Sequence, residues 1–211
     1  LGKTNKLREV NNPLGGSFAI DYKHTDISED HPGGKWVMSE LTLNDGVKAD
    51  RSDSSCKYDS KKAFSYSGGE YDKYEREYLG FAETITTDID FDGQPYRSLV
   101  DKYDTSSYYR AGHLLEEVLQ DAKDNSKKYT ITRNKYYYDD VSSVKINIGS
   151  FDREVGIVFP LLKYTINGTY EASDTVLWQN KSAYIYNKQY GYVTKFIYKE
   201  NPSNESDNTI T

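Results

Sequence analysis

Cysteine is nearly absent from this chain. Its 211 residues hold one, Cys56, with one methionine and five prolines. A lone cysteine excludes an intrachain disulfide, and with no histidine near it in sequence Cys56 reads as a neutral strand residue, not a reactive thiol. Long apolar runs are also missing. None approaches the roughly 18 residues of a membrane span, and no signal-peptide pattern opens the chain. The chain begins at Leu1 rather than Met, as expected of a piece of something longer. Basic excess is lacking as well. A net charge of −6 argues against a general nucleic-acid binder, which needs a basic surface.

Nucleotide and nucleophile motifs are missing too. There is no G-x-G-x-x-G and no P-loop. Ser39, Ser107 and Ser150 lack a nucleophile-elbow setting. The only histidines, His24, His31 and His113, show no metal-ligand spacing, and His24 and His31 fall in or beside a polar loop. The sequence therefore points to no catalytic residue, no metal and no cofactor.

What the chain does have is tyrosine, with 21 copies, although only 36% of the residues are hydrophobic. Mean hydropathy is −0.83. Tyrosine suits a half-buried pleated surface and keeps a hydroxyl for water. The expected fold is all-β, with at least one wet or polar-packed sheet face and no thick aliphatic core.

Along the chain, strand patterns alternate with turn signals roughly every 10 to 20 residues. Leu7 to Val10 and Ser17 to Tyr22 read as strands around Asn11-Asn12-Pro13-Leu14-Gly15-Gly16. Phe18, Ile20 and Tyr22 alternate with Ser17, Ala19 and Asp21. Lys23 to Gly34 reads as a polar loop and Trp36 to Leu43 as a strand ending at the Asn44-Asp45-Gly46 turn. Val47 to Ser55 reads as a loop and Lys57 to Tyr66 as a strand, with Gly68-Gly69 predicted to turn it. The run Tyr66 to Phe81 follows, then extended chain to the Asp92-Gly93 turn. Tyr96 to Tyr103, Lys128 to Asp139 and Val141 to Phe151 are further strands. Gly156 to Tyr170 is predicted to turn at Asn167-Gly168, a strong hairpin signal. Thr175 to Tyr186 and Tyr192 to Lys199 close the series. Leu114, Leu115, Val118, Leu119 and Ala122 recur with helical spacing, so Tyr108 to Ala122 read alone is a helix.

Four patterns suggest chemistry, and each has a blander reading. Asp88, Asp90 and Asp92 before Gly93 open like a calcium loop, but the twelfth position is Leu99, which supplies no carboxylate. A plain Asp-Gly turn is favoured. Glu75 and Glu77, flanking Arg76 and near Lys73, are spaced to share a strand face like a hydrolase pair. Cross-strand charge pairing is favoured there. Tyr136 to Tyr138 with Lys127, Lys128, Arg133 and Lys135 have the composition of a stacking platform for sugars or bases. A Tyr-rich strand is favoured. Asn167, Asn180 and Asn204 head glycosylation sequons, relevant only in a eukaryotic secretory protein.

Asn11-Asn-Pro-Leu-Gly-Gly16 with Phe18-Ala-Ile-Asp-Tyr22, then Trp36-Val-Met-Ser39 and Asn44-Asp-Gly46, resembles the opening of an Rhs/YD-type unit. Tyr71-Asp-Lys-Tyr-Glu-Arg-Glu-Tyr-Leu-Gly-Phe81 resembles a signature of the B component of bacterial toxin complexes and of SpvB-like proteins. Val158-Phe-Pro-Leu-Leu162 is similar to a later segment. The resemblance covers roughly residues 5 to 170. It implies a spiral of antiparallel strands forming a hollow shell around a toxic effector polypeptide, in a secreted bacterial protein. Partners would be the remainder of a larger parent chain or a partner toxin subunit. No position matches the family's self-cleaving protease site, so no catalytic residue carries over, and the YD repeat is degenerate. The resemblance also implies that Tyr108 to Ala122 is a strand with a turn at Asp121 to Asn125. Residues 1–200 are then expected to form one all-β region, with 201–211 a polar tail or linker. The rival readings are a surface carbohydrate-binding or adhesin module and, weaker, a carboxylate hydrolase.

Overall fold

The structure is a computed structural model that describes residues 5–46, 59–137, 144–148, 151–155, 160–187 and 190–201. Every regular element among them is a β-strand: β1 (Glu9–Asn11), β2 (Ser17–His24), β3 (Trp36–Asn44), β4 (Asp59–Asp72), β5 (Glu77–Ile89), β6 (Pro95–Asp104), β7 (His113–Asp121), β8 (Lys128–Tyr137), β9 (Val144–Ile148), β10 (Phe151–Val155), β11 (Leu161–Ser173), β12 (Val176–Tyr186) and β13 (Val193–Lys199). Eleven strands form one antiparallel sheet in chain order, and β9 and β10 form a separate hairpin between β8 and β11. The sheet does not close, so β1 and β13 are its edges. The chain-order pairing follows the tendency of consecutive strands to lie side by side.

Helical spacing in the 108–122 stretch yields to sheet pairing. Residues His113–Asp121 are strand β7, held between β6 and β8. The following reversal is fixed by Asp121, whose carboxylate accepts the backbone N–H groups of Lys123 and Asp124.

Two predicted turns are mid-strand instead. Gly68-Gly69 lies within β4, which continues to Asp72 and reverses through Lys73–Arg76. Asp72 makes that turn by accepting the N–H groups of Tyr74 and Glu75 at 2.8 and 3.0 Å. Asn167-Gly168 lies inside β11, which pairs with β8 on one side and β12 on the other. The reversal falls at Asp174 and Thr175, where the Ser173 hydroxyl bonds the Thr175 backbone. Gly68, Gly69 and Gly168 serve close approach rather than reversal, with Ala82, His31 and Tyr170 against them. A Cβ on Gly168 would stand 3.0 Å from the Tyr170 ring.

Cross-strand register assigns each row of residues to one face. Ser65, Ile85, Val100, Val118, Ile131, Gly168 and Gln179 form one row. Its centre, Val100, Val118 and Ile131, is the buried hydrophobic core among the described residues, with Ile85 and Tyr170 packed against it. The adjacent row, on the opposite face, is Tyr66, Thr84, Asp101, Glu117, Thr132, Asn167 and Asn180. Here Thr132 donates to Asn167, and Asn167 donates to Asn180. The sheet is thus thin and wet on both sides, as the low hydropathy predicts.

The predictions for 47–58, Cys56 included, and for Tyr138, Ser150, Asn204 and the 202–211 tail lie outside the described residues.

Candidate functional site

The predicted chemical patterns are taken up by structure. Asp88 lies on β5, bonded to Lys62 on β4 and by two N–H groups of Arg97 on β6. Burial raises its carboxyl's proton affinity, but the bonds and charges of Lys62 and Arg97 outweigh burial and hold the pKa below the ordinary range. Asp90 accepts the N–H groups of Asp92 and Gln94, which is an Asx-type turn. Among the described residues no group of three or more His, Cys, Asp or Glu is placed to hold a metal ion.

Glu75 and Glu77 do not share a strand face. Glu75 sits in the turn, Arg76 adopts a left-handed φ of 55°, and Glu77 opens β5 opposite Asp72. Nor do the tyrosines near residue 136 form a free platform. The Tyr136 hydroxyl donates to the Leu114 carbonyl and its ring meets His113 edge-on; Tyr137 meets Tyr186. Lys127, Lys128 and Arg133 pair with Asp124, Asp174 and Glu116. Ser39 lies within β3, and Ser107 in the turn before β7. The Asn167 and Asn180 side chains of two sequons bond each other inside the sheet.

One cluster was missed at the sequence level. His31, read as a loop residue, is 4% exposed. Its ring lies over Gly69 and against Tyr78 and Phe81, with centroid distances of 5.0 and 5.7 Å. Thr25 shares a hydrogen bond with His31 Nε2 at 2.8 Å and ties both strands of the loop through Lys35. The 25–35 loop is thereby clasped onto the β4–β5 hairpin. Burial, then the charges of Lys35 and His24, lowers the His31 pKa below 6.5. Burial also pushes the Tyr78 hydroxyl up to about 12. The double glycine was the available signal, since a strand glycine often marks close approach.

The aromatic contacts share one end of the sheet. His24–Trp36, the His31 cluster, Tyr108–Tyr109, His113–Tyr136, Tyr137–Tyr186, Tyr184–Phe196 and the stacked Tyr190–Tyr192 all flank the β2–β3, β4–β5, β6–β7, β8–β11 and β12–β13 connections. Ion pairs Lys62–Asp88–Arg97 and Lys128–Asp174 lie toward the other end. On the face of the apolar row, a second row carries alternating charge: Glu83, Lys102, Glu116 and Arg133. Glu116 bonds Lys102 at 2.9 Å and Arg133 at 2.6 Å. On the other face Asp101 and Glu117 stand directly opposite, and Asp101 Oδ1 is buried without a hydrogen-bond partner. Burial first, then Glu117, raises the Asp101 pKa. The Lys102–Glu116–Arg133 row ties three strands together, whereas Asp101 and Glu117 oppose each other, and neither arrangement joins a nucleophile with a base.

Comparison with known proteins agrees with the all-β fold. The family model for the insecticide toxin TcdB middle/N-terminal region matches residues 1–117. No curated protein matches the chain. Among solved structures, the crystal structure of TcdB2-TccC3 shares the fold with a TM-score of 0.69 at 13% identity, over 97% of this chain and 13% of its own. The Photorhabdus luminescens Tc holotoxin pore, in a TccC3-D651A variant, gives 0.70 at 14% identity, over 92% of this chain and 12% of its own. The chain thus spans about an eighth of the length of the structures it matches.

Proposed function

The chain belongs to the family of the insecticide toxin TcdB middle/N-terminal region, and from that premise we propose that it is a wall segment of a shell enclosing a toxic effector polypeptide. The role is structural rather than catalytic, within a secreted bacterial toxin complex. Residues 1–200 act as one all-β unit, 201–211 as a polar tail or linker, and the rest of a longer chain or a partner subunit completes the shell.

The observation that carries this reading is the unclosed, chain-ordered sheet of eleven strands with open edges at β1 and β13. Backbone ladders join it into one surface, while the faces remain largely polar. Such a surface excludes solvent and protease by continuity rather than by thickness. An unfolded cargo on the face of Thr84, Thr132, Asn167 and Asn180 meets hydrogen-bonding side chains along that row.

The test is protease protection in the complete toxin complex. A wall-breaking Ile131→Pro substitution removes a ladder hydrogen bond from β8, one of the three strands that carry the core. The enclosed effector should become cleavable while a conservative Ile131→Val complex stays resistant. Equal resistance of the proline variant, with β8 shown to be disrupted, would contradict the wall role.

A further inference from the structure

The sheet has a seam inside it. Strands β3 and β4 pair only from Glu40–Ala63 to Asn44–Asp59. Past that point β3 stays laddered to β2 as far as Trp36, and β4 to β5 as far as Asp72. The stretch of β4 from Phe64 to Asp72, about 30 Å of strand, has no ladder to β3. The 25–35 loop spans this gap. It leaves β2 at His24, rejoins the sheet at Trp36 of β3, and reaches β4 and β5 through His31, whose ring lies on Gly69 and against Tyr78 and Phe81. Lys35 lies over the Tyr78 ring at 5.0 Å, and Glu29 pairs with Lys73 at 3.5 Å on the exposed rim. The buried contact across the seam is the His31 imidazole, 4% exposed.

We propose that residues 25–35 are a strap that closes the seam between β3 and β4, and that acid opens it. An imidazolium held there is a buried cation beside Lys35 and His24, so the closed strap keeps His31 neutral. In the open strap the ring regains its ordinary proton affinity. Closure is therefore complete above about pH 6.5 and weakens as pH falls through that value. The other groups around the ring modify this response. Lys73 is occupied by Glu29. Tyr66 and Tyr78 keep their protons, their pKa values raised by burial. Glu70, on β4, has its pKa raised by burial and then by Asp30 of the strap. It gains a proton in the closed state and opposes opening, but in the carboxylate range, below the range of His31. The inference rests on the wall reading and adds a joint to it: with the strap open, the wall parts between two strands while its other ladders hold.

The test is hydrogen exchange of the full chain, read as protection factors corrected for intrinsic rate. The amides of Thr25, His31 and Lys35 bond within the strap. They should lose protection by up to about tenfold between pH 7.5 and 5.5, one unit below the ordinary imidazole value. Strands β6 to β8 should keep theirs over the same range. Lys35→Gln removes one of the two cations beside the ring and leaves His31 in place. It should keep the strap protected at pH 7.5 and shrink the acid loss. Strap protection that stays flat with pH overturns the inference and leaves the wall reading intact. Equal loss in the strap and in β6 to β8 overturns it in favour of general unfolding. An acid loss unchanged in Lys35→Gln overturns the electrostatic origin of the opening.

Discussion

The imidazole of His31 rests on Gly69: a Cβ built there would stand 2.9 Å from His31 Cγ. The ring fills a gap in β4 that only glycine leaves. Gly69→Ala should therefore expel His31 and cost about 1–3 kcal/mol, as for other overpacked sites. His31→Ala combined with Gly69→Ala should cost less than the sum of the two single changes, a coupling read by denaturant midpoints in a double-mutant cycle. Additive costs would mean the two residues do not share one packing unit.

The same contact makes the clasp sensitive to acid. The folded His31 pKa lies below 6.5, through burial and then Lys35 and His24. The unfolded chain therefore binds more protons over the window just below 6.5, so stability is full above it and falls as pH drops through it. Glu70 acts in the opposite sense, its pKa raised by burial and then by Asp30. Hydrogen-exchange protection factors across residues 25–35, corrected for the slower intrinsic exchange in acid, should fall as pH drops below about 6.5, and His31→Gln should flatten that response while the Glu70 contribution remains.

Asp101 and Glu117 face each other across β6 and β7, and the Asp101 pKa is raised by burial and then by Glu117. A raised carboxyl pKa means the folded state holds the proton more tightly, so this pair destabilises above that pKa and is relieved as pH falls. Asp101→Asn should stabilise the chain at pH 7 by about 0.5–1 kcal/mol. Thermal unfolding at pH 7 and pH 4 should show the gain shrinking at the lower pH.

Asp88 behaves in the reverse way. Its carboxylate, 14% exposed on the side chain, joins three strands through Lys62 and Arg97. Asp88→Asn should cost about 1–3 kcal/mol at neutral pH by leaving two cations without their acid. Because the folded pKa is depressed, the cost should vanish as pH falls below the ordinary carboxylate range.

Much of this was legible in the sequence, and the failures share a cause. Alternation at Phe18, Ile20 and Tyr22 gave β2 directly, since one side of that strand is half-buried. The helical spacing near residue 115, which the family resemblance rightly overruled in favour of a strand, arises because β7 is apolar on both faces, with Val118 in the core row and Leu119 opposite Leu99. A register shift between Lys102 and Tyr103 also leaves Leu115 without a partner. Two apolar faces and a bulge together mimic a period near 3.6. Gly68-Gly69 and Asn167-Gly168 carry turn chemistry, yet they answer to Ala82, His31 and Tyr170. Of these only Tyr170 is local, so a windowed reading finds the turn residues and misses the space they leave. The clasp itself joins residues far apart in sequence, which only the fold brings together.

The central claim is that this sheet is one stretch of a longer wall. Cryo-electron microscopy of the complete toxin complex tests it most directly. The account predicts further strands hydrogen-bonded to both β1 and β13, on a continuous wall around a cavity holding polypeptide density. A sheet whose edges stay free, or one folded back into a closed sandwich with no cavity beside it, would contradict the account.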